Sequence, residues 1–142
     1  MKRYELIEHT ADLGIHGFGA SVSEAFAAVA EGMFSIMASL DTIDIVRCHS
    51  IHVKAASLDT LLVEWLSELL AHWESTGEIY RTFDVSIEDV EDHGYRLSGR
   101  ICGEPLDTAK HRLGTEVKGI SYLGLRVESS PGASSVRCIV DV

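Results

Sequence analysis

The stretch SLDTLLVEWLSELLAHWESTG, Ser57 to Gly77, decides the fold. Leu58, Leu61, Leu62, Trp65, Leu66, Leu69, Leu70 and Trp73 recur at three- and four-residue spacing, which places them on one wide face of an α-helix. Ser57 and Asp59 suit its first turn, and Thr76-Gly77 its end. So broad an apolar face must be covered by other elements, and this helix is predicted to be the main pillar of the core.

On both sides of it the period changes to two. Ile45 to Lys54 alternates as a strand ahead of the helix. Behind it, Phe83, Val85 and Ile87 lie on one strand, joined through Asp92-His93-Gly94 to Tyr95, Leu97, Gly99 and Ile101 on another, a predicted hairpin. Pro105 to His111 is a candidate short helix. Glu116 to Glu128 alternates with Val117, Gly119, Ser121, Leu123, Leu125 and Val127 on one face. Ser130-Pro131-Gly132 turns that strand back into Val136, Cys138, Val140 and Val142. Towards the start, Ser21-Val22-Ser23-Glu24 has capping-box spacing and opens a helix over roughly 22–38, with Phe26, Val29, Ala30, Met33, Phe34 and Met37 as its apolar positions. Tyr4 to Glu8 and Leu13 to Phe18 read as two strands, or one bent strand, around a break at His9 to Asp12. Runs of strands interrupted by two solitary helices predict an α+β fold: a single compact domain over residues 1–142, with largely antiparallel sheet packed against two main amphipathic helices.

A 142-residue chain can bury roughly two-thirds of its unfolded surface in one core. Its 46% apolar content and two prolines exclude a disordered protein. The formal charge of −10 argues against binding of a nucleic-acid backbone as the main activity, because that affinity comes largely from Lys and Arg. Cys48, Cys102 and Cys138 are odd in number, widely spaced and without a C-x-x-C pair, so free buried thiols are expected. With no apolar run near the roughly 18 residues that span a bilayer, this predicts a cytoplasmic protein with no membrane role.

Enzyme motifs are sparse. There is no Walker A loop, no G-x-S-x-G elbow and no H-E-x-x-H, and Gly17-Phe18-Gly19 lacks the third glycine of a dinucleotide site. Seven histidines are scattered along the chain, and His49 and His52, if on one strand, point to opposite faces. Asp12, Asp141 and the Val142 carboxylate are hard oxygen donors of the kind that bind Ca²⁺ or Mg²⁺. By spacing alone an Asx-turn for Asp12 and a solvated terminus for Asp141 are the simpler readings, since nothing local brings the two ends together. His9, beside Asp12, could orient that carboxylate or its ligand. Lys118 lies on the polar phase of its strand and is read most simply as a solvated lysine.

Several words occur in fixed order: Glu8-His9-Thr10-Ala11-Asp12-Leu13-Gly14-Ile15, Ser23-Glu24-Ala25-Phe26, Leu61 to Leu70, Cys102-Gly103-Glu104-Pro105-Leu106 with Lys110-His111, Glu116-Val117-Lys118-Gly119-Ile120-Ser121-Tyr122, and Val140-Asp141-Val142. Together they span nearly the whole chain, and the sequence resembles archease. The resemblance implies a small cytoplasmic accessory protein, not itself an enzyme, that activates an RtcB-type RNA ligase in tRNA splicing and RNA repair. It would promote the ligase's guanylylation and multiple turnover, and touch RNA only through the ligase. It also implies a site for Ca²⁺, or another divalent cation such as Mg²⁺ or Mn²⁺, formed by Asp12, Asp141 and Val142, with Lys118 as a functional candidate. Many relatives carry a Tyr-His pair where this chain has Tyr122-Leu123, so a role carried by that histidine has no counterpart here. The alternative is a general chaperone or protein-interaction module in which the metal only ties the termini.

Overall fold

The computed structural model describes residues 2–8 and 12–142 of the chain. In order these form β1 (Tyr4–Glu8), β2 (Asp12–Gly19), α1 (Val22–Met37), a single 3₁₀ turn (Leu40–Thr42), β3 (Arg47–Ala55), α2 (Leu58–Thr76), β4 (Glu78–Val90), β5 (Gly94–Pro105), β6 (Gly119–Glu128) and β7 (Ser134–Asp141). The strands make two antiparallel sheets, ordered β1-β2-β7-β6 and β3-β5-β4. This is the α+β architecture expected, with two distinct strands on either side of the His9 to Asp12 break.

Each helix touches both sheets. α1 packs on β1, β2 and β7 of one and β4 of the other, while α2 packs on β6 and on β3, β4 and β5. Every residue from Ala25 through Ala30 is accordingly buried, as a helix covered on opposite sides requires. Small side chains make that position possible. A Cβ at Gly17 would stand 2.7 Å from the Ala25 carbonyl oxygen, so only glycine lets β2 approach α1 so closely. Trp65, fully buried, joins the two helices by donating its indole N–H to the Phe26 carbonyl at 3.1 Å.

The helix ends follow the local code with one variation. The Ser57 hydroxyl accepts from the Thr60 N–H and Thr60 answers the Ser57 N–H, a complete capping box, and Gly77 closes α2 in the left-handed region. In α1 the Ser21 hydroxyl accepts from the Glu24 N–H at 3.1 Å, but the Glu24 carboxylate takes the Ala20 N–H at 2.6 Å rather than that of Ser21.

Three expectations need correction. Pro105 to His111 is not a helix. Pro105 ends β5, and the chain then makes one turn in which Asp107 accepts the N–H groups of Lys110 and His111, because side-chain bonds to Glu104 hold this loop against the strand. The strand expected from Glu116 begins at Gly119, and its ladder to β7 shifts between Ser121 and Arg126. That irregularity flips the alternation. Gly119 and Ser121 pair with Asp141 and Ile139 on the outer face, whereas Leu125 and Val127 pack towards the core. Finally, Cys48 and Cys102 are directly opposed on β3 and β5 and form a disulfide, with only Cys138 free and buried. The 54-residue separation hid a pairing that strand register creates, and it removes the thiol-based argument for a reducing compartment.

Candidate functional site

β7 lies between β2 and β6, and this arrangement assembles the site. On one side Asp12 is the register partner of Asp141, one step beyond the Leu13–Val140 pair that faces the helices. On the other, Gly119 is paired with Asp141, and the Lys118 N–H donates to the Asp141 carbonyl at 2.8 Å. Asp12, Asp141, Lys118 and Val142 therefore converge at one corner of the sheet, although the two aspartates lie at opposite ends of the sequence. Asp12 is half-buried, Asp141 and Lys118 are exposed, and Val142 packs partly on the core. His9 lies outside the described residues.

Alternation places both carboxylates on the outer face of the sheet, since Leu13, Val136, Cys138 and Val140 line the inner one. Two like charges at directly opposed positions repel. A cation held between them would offset that repulsion, and an oxygen-only donor set suits Ca²⁺ or Mg²⁺ better than zinc. Space is available: the Asp141 carboxylate oxygen lies 4.0 Å from where a Cβ at Gly119 would stand, with no other heavy atom within that radius. Among the described residues no group of three or more His, Cys, Asp or Glu is arranged to hold a metal, and Val142 adjoins the aspartate pair at the end of β7. Asp12 and Asp141 are, in their chemistry, the kind of hard oxygen donors that would suit a divalent cation.

Two further polar clusters escaped the sequence reading. In the first, Glu104 accepts from the Lys110 ammonium at 2.7 Å, the Asp44 N–H at 2.6 Å and His111 Nε2 at 3.0 Å. Lys110, Asp44 and His111 together hold the Glu104 carboxyl down at about 2. The buried His111 ring accepts the Asp107 N–H at Nδ1, which leaves its proton on Nε2 for Glu104. Glu104, Lys110 and His111 are among the words on which the resemblance rests, but their spacing carried no hint of mutual contact.

The second cluster centres on Glu78, 3% exposed. Burial pushes its carboxyl up, yet His49, Tyr80 and Arg47 outweigh this and hold it below the ordinary range. His49 Nε2 lies 2.5 Å from Glu78 and the Tyr80 hydroxyl 3.3 Å, while Arg47 reaches the other oxygen at 3.3 Å. His49 and His52 do take opposite faces of β3, and His52 meets Ser98 at 3.4 Å instead.

A family model described as "Archease protein family (MTH1598/TM1083)" matches residues 4–142. A protein archease of Thermococcus gammatolerans is 40% identical over 131 residues, covering 92% of each chain. A Drosophila melanogaster protein described as archease-like is 34% identical, over 99% of this chain and 90% of its own. The solution structure of Methanobacterium thermoautotrophicum protein 1598 superposes with a TM-score of 0.88 at 27% identity, covering all of both chains.

Proposed function

The chain belongs to the archease family, and from that premise we propose that it is an accessory protein that activates an RtcB-type RNA ligase rather than an enzyme in its own right. It would act in the cytoplasm, in tRNA splicing or RNA repair, by promoting the ligase's guanylylation and multiple turnover. The observation that carries this reading is the register that sets Asp12 opposite Asp141 beside Lys118.

In this proposal Asp12 and Asp141, with the Val142 carboxylate, hold Ca²⁺ or another divalent cation such as Mg²⁺ or Mn²⁺. When bound, that cation supplies a positive charge able to attract and orient phosphate oxygens. The two strands fix the separation of the carboxylates, and Gly119 leaves the approach open. The exposed Lys118 presents a second cation at the rim. The formal charge of −10 favours encounter with a basic partner and disfavours independent binding of RNA, so contact with RNA is assigned to the ligase. No helix is long and apolar enough to cross a membrane among the described residues, and the proposal includes no membrane partner.

The test is ligase guanylylation measured with and without this protein over a range of divalent-ion concentrations. Asp12→Ala and Asp141→Ala should stay folded and lose stimulation. Full stimulation by both folded variants would sink the proposal. A second reading, a chaperone or interaction module with a purely structural metal, draws on Tyr122 and Leu123, 65% and 78% exposed in the irregular stretch of β6. A Thermotoga maritima archease of the same fold is itself described as a possible chaperone, at 17% identity and a TM-score of 0.62 over 97% of this chain. That reading requires suppression of aggregation of unrelated clients, and specific ligase activation without client protection excludes it.

A further inference from the structure

The last turn of α2 meets β3 through two histidines. The His49 and His72 rings lie 5.6 Å apart, centre to centre, tilted by 50°. Each turns its Nε2 towards a carboxylate: His49 to Glu78 at 2.5 Å, and His72 to Glu68, one helical turn earlier, at 3.7 Å. The opposite nitrogens are left over. Among the described residues, the buried His72 Nδ1 has no hydrogen-bond partner, and His49 makes no hydrogen bond other than the one through Nε2.

An orphaned buried nitrogen is costly in a native protein and calls for an explanation. Metal-ligating histidines characteristically donate one ring N–H to a carboxylate, which fixes the tautomer and leaves the other nitrogen's lone pair for the ion. The His49 ring has that arrangement with Glu78, while His72 Nε2 faces Glu68 at 3.7 Å, an ion-pair distance longer than a hydrogen bond. Two imidazoles sharing one ion at a metal–nitrogen distance of about 2.0–2.1 Å place their ring centres roughly 5–6 Å apart, the separation seen here. The local charge also favours a cation, since among the described residues the one permanently charged group paired with Glu68 or Glu78 is the guanidinium of Arg47, at Glu78.

We propose that His49 and His72 bind a borderline divalent transition ion, with Zn²⁺ as the reference case, through their two Nδ1 atoms. Glu78 is a positioning residue that holds the His49 ring through Nε2. With two protein donors and no third side chain arranged for ligation among the described residues, water completes the coordination from the side of His49, which is 31% exposed. Nitrogen donors separate this site from the oxygen donors at Asp12 and Asp141. Because it bridges α2 and β3, occupancy stabilises the folded chain.

The experiment is calorimetric titration of the untagged, oxidised protein with Zn²⁺ in saturating Ca²⁺, which fills any oxygen site and keeps Cys48 and Cys102 out of play. One Zn²⁺ should bind per chain and raise the melting temperature. Long-range proton–nitrogen spectra should show the Nδ1 resonances of two histidines shifting together. His49→Gln, which retains a donor for Glu78, and His72→Ala should each abolish the event while remaining folded by circular dichroism. Asp141→Asn should leave it unchanged. No Zn²⁺ binding by the wild-type chain, or undiminished binding by both folded histidine variants, overturns the proposal. Loss of the event in Asp141→Asn with retention in the histidine variants reassigns the ion to the sheet corner and also overturns it.

Discussion

Glu104 and Asp141 are both carboxylates near the ends of strands, and the molecule treats them in opposite ways. Glu104 receives an ammonium, a buried imidazole and a backbone N–H from three separate segments, and its charge is consumed in tying the loop after β5 to the strand. Asp141 stands exposed opposite a second aspartate, over a glycine, and no ion pair links it to a described residue. A carboxylate answered by protein cations stabilises the fold. One placed against another carboxylate at an open corner is, in the function proposed here, a donor for an incoming cation.

Substitutions can break this contrast. The largest effect is functional: Asp12→Ala or Asp141→Ala should reduce ligase guanylylation to the level of the ligase alone with little change in melting temperature, whereas Glu104→Gln should lower the melting temperature and spare stimulation by the folded fraction. Equal losses on both measures in all three variants would erase the distinction. Next, opening the Cys48–Cys102 bridge, by reduction or as Cys48→Ser with Cys102→Ser, releases a loop of 54 residues. Urea titration should then show a loss of about 2–4 kcal/mol, because loop-closure entropy returns to the unfolded chain. Third, His111→Ala removes a fully buried ring and strips Glu104 of a donor. The expected cost is about 2–3 kcal/mol by chemical denaturation, and a cost near zero would show that the cluster holds nothing in place.

The smallest effect is one of pH. The Glu104 carboxyl falls from 4.5 to about 2 on folding, so its contribution is complete above the unfolded value and disappears as pH drops from about 4.5 towards 2. The stability gap between wild type and Glu104→Gln should therefore narrow over that acid window. A gap that stays constant down to pH 2 would mean that charge at Glu104 is not what stabilises the loop. Cys138 offers a control that should not respond, because burial pushes its thiol up to about 12 and no thiolate forms in the usable range.

Both helices were legible in the sequence because a period of 3.6 and a capping serine, joined in α2 by a terminal glycine, are properties of neighbouring residues. The hairpins at Asp92-His93-Gly94 and Ser130-Pro131-Gly132 were legible for the same reason, since Asp92, Gly94 and Gly132 all take positive φ. β6 was misread because its irregularity after Ser121 is set by pairing with β7, and alternation cannot reveal a slip in phase. Pro105 to His111 resembled a short helix only until the loop found Glu104. The candidate site was half legible: hard donors could be named at Asp12, Asp141 and Val142, while the link between them rested on resemblance and not on spacing.

What the sequence determined by itself is therefore local: which segments are helix or strand, where they turn, and that the chain is acidic and rich enough in apolar residues to fold. Tertiary structure decided which distant residues meet. The Asp12–Asp141 register, the Cys48–Cys102 bridge and the approach of His72 to His49 each close a long loop. The closure cost is met by the summed packing of two sheets on two helices, and no short motif records that sum.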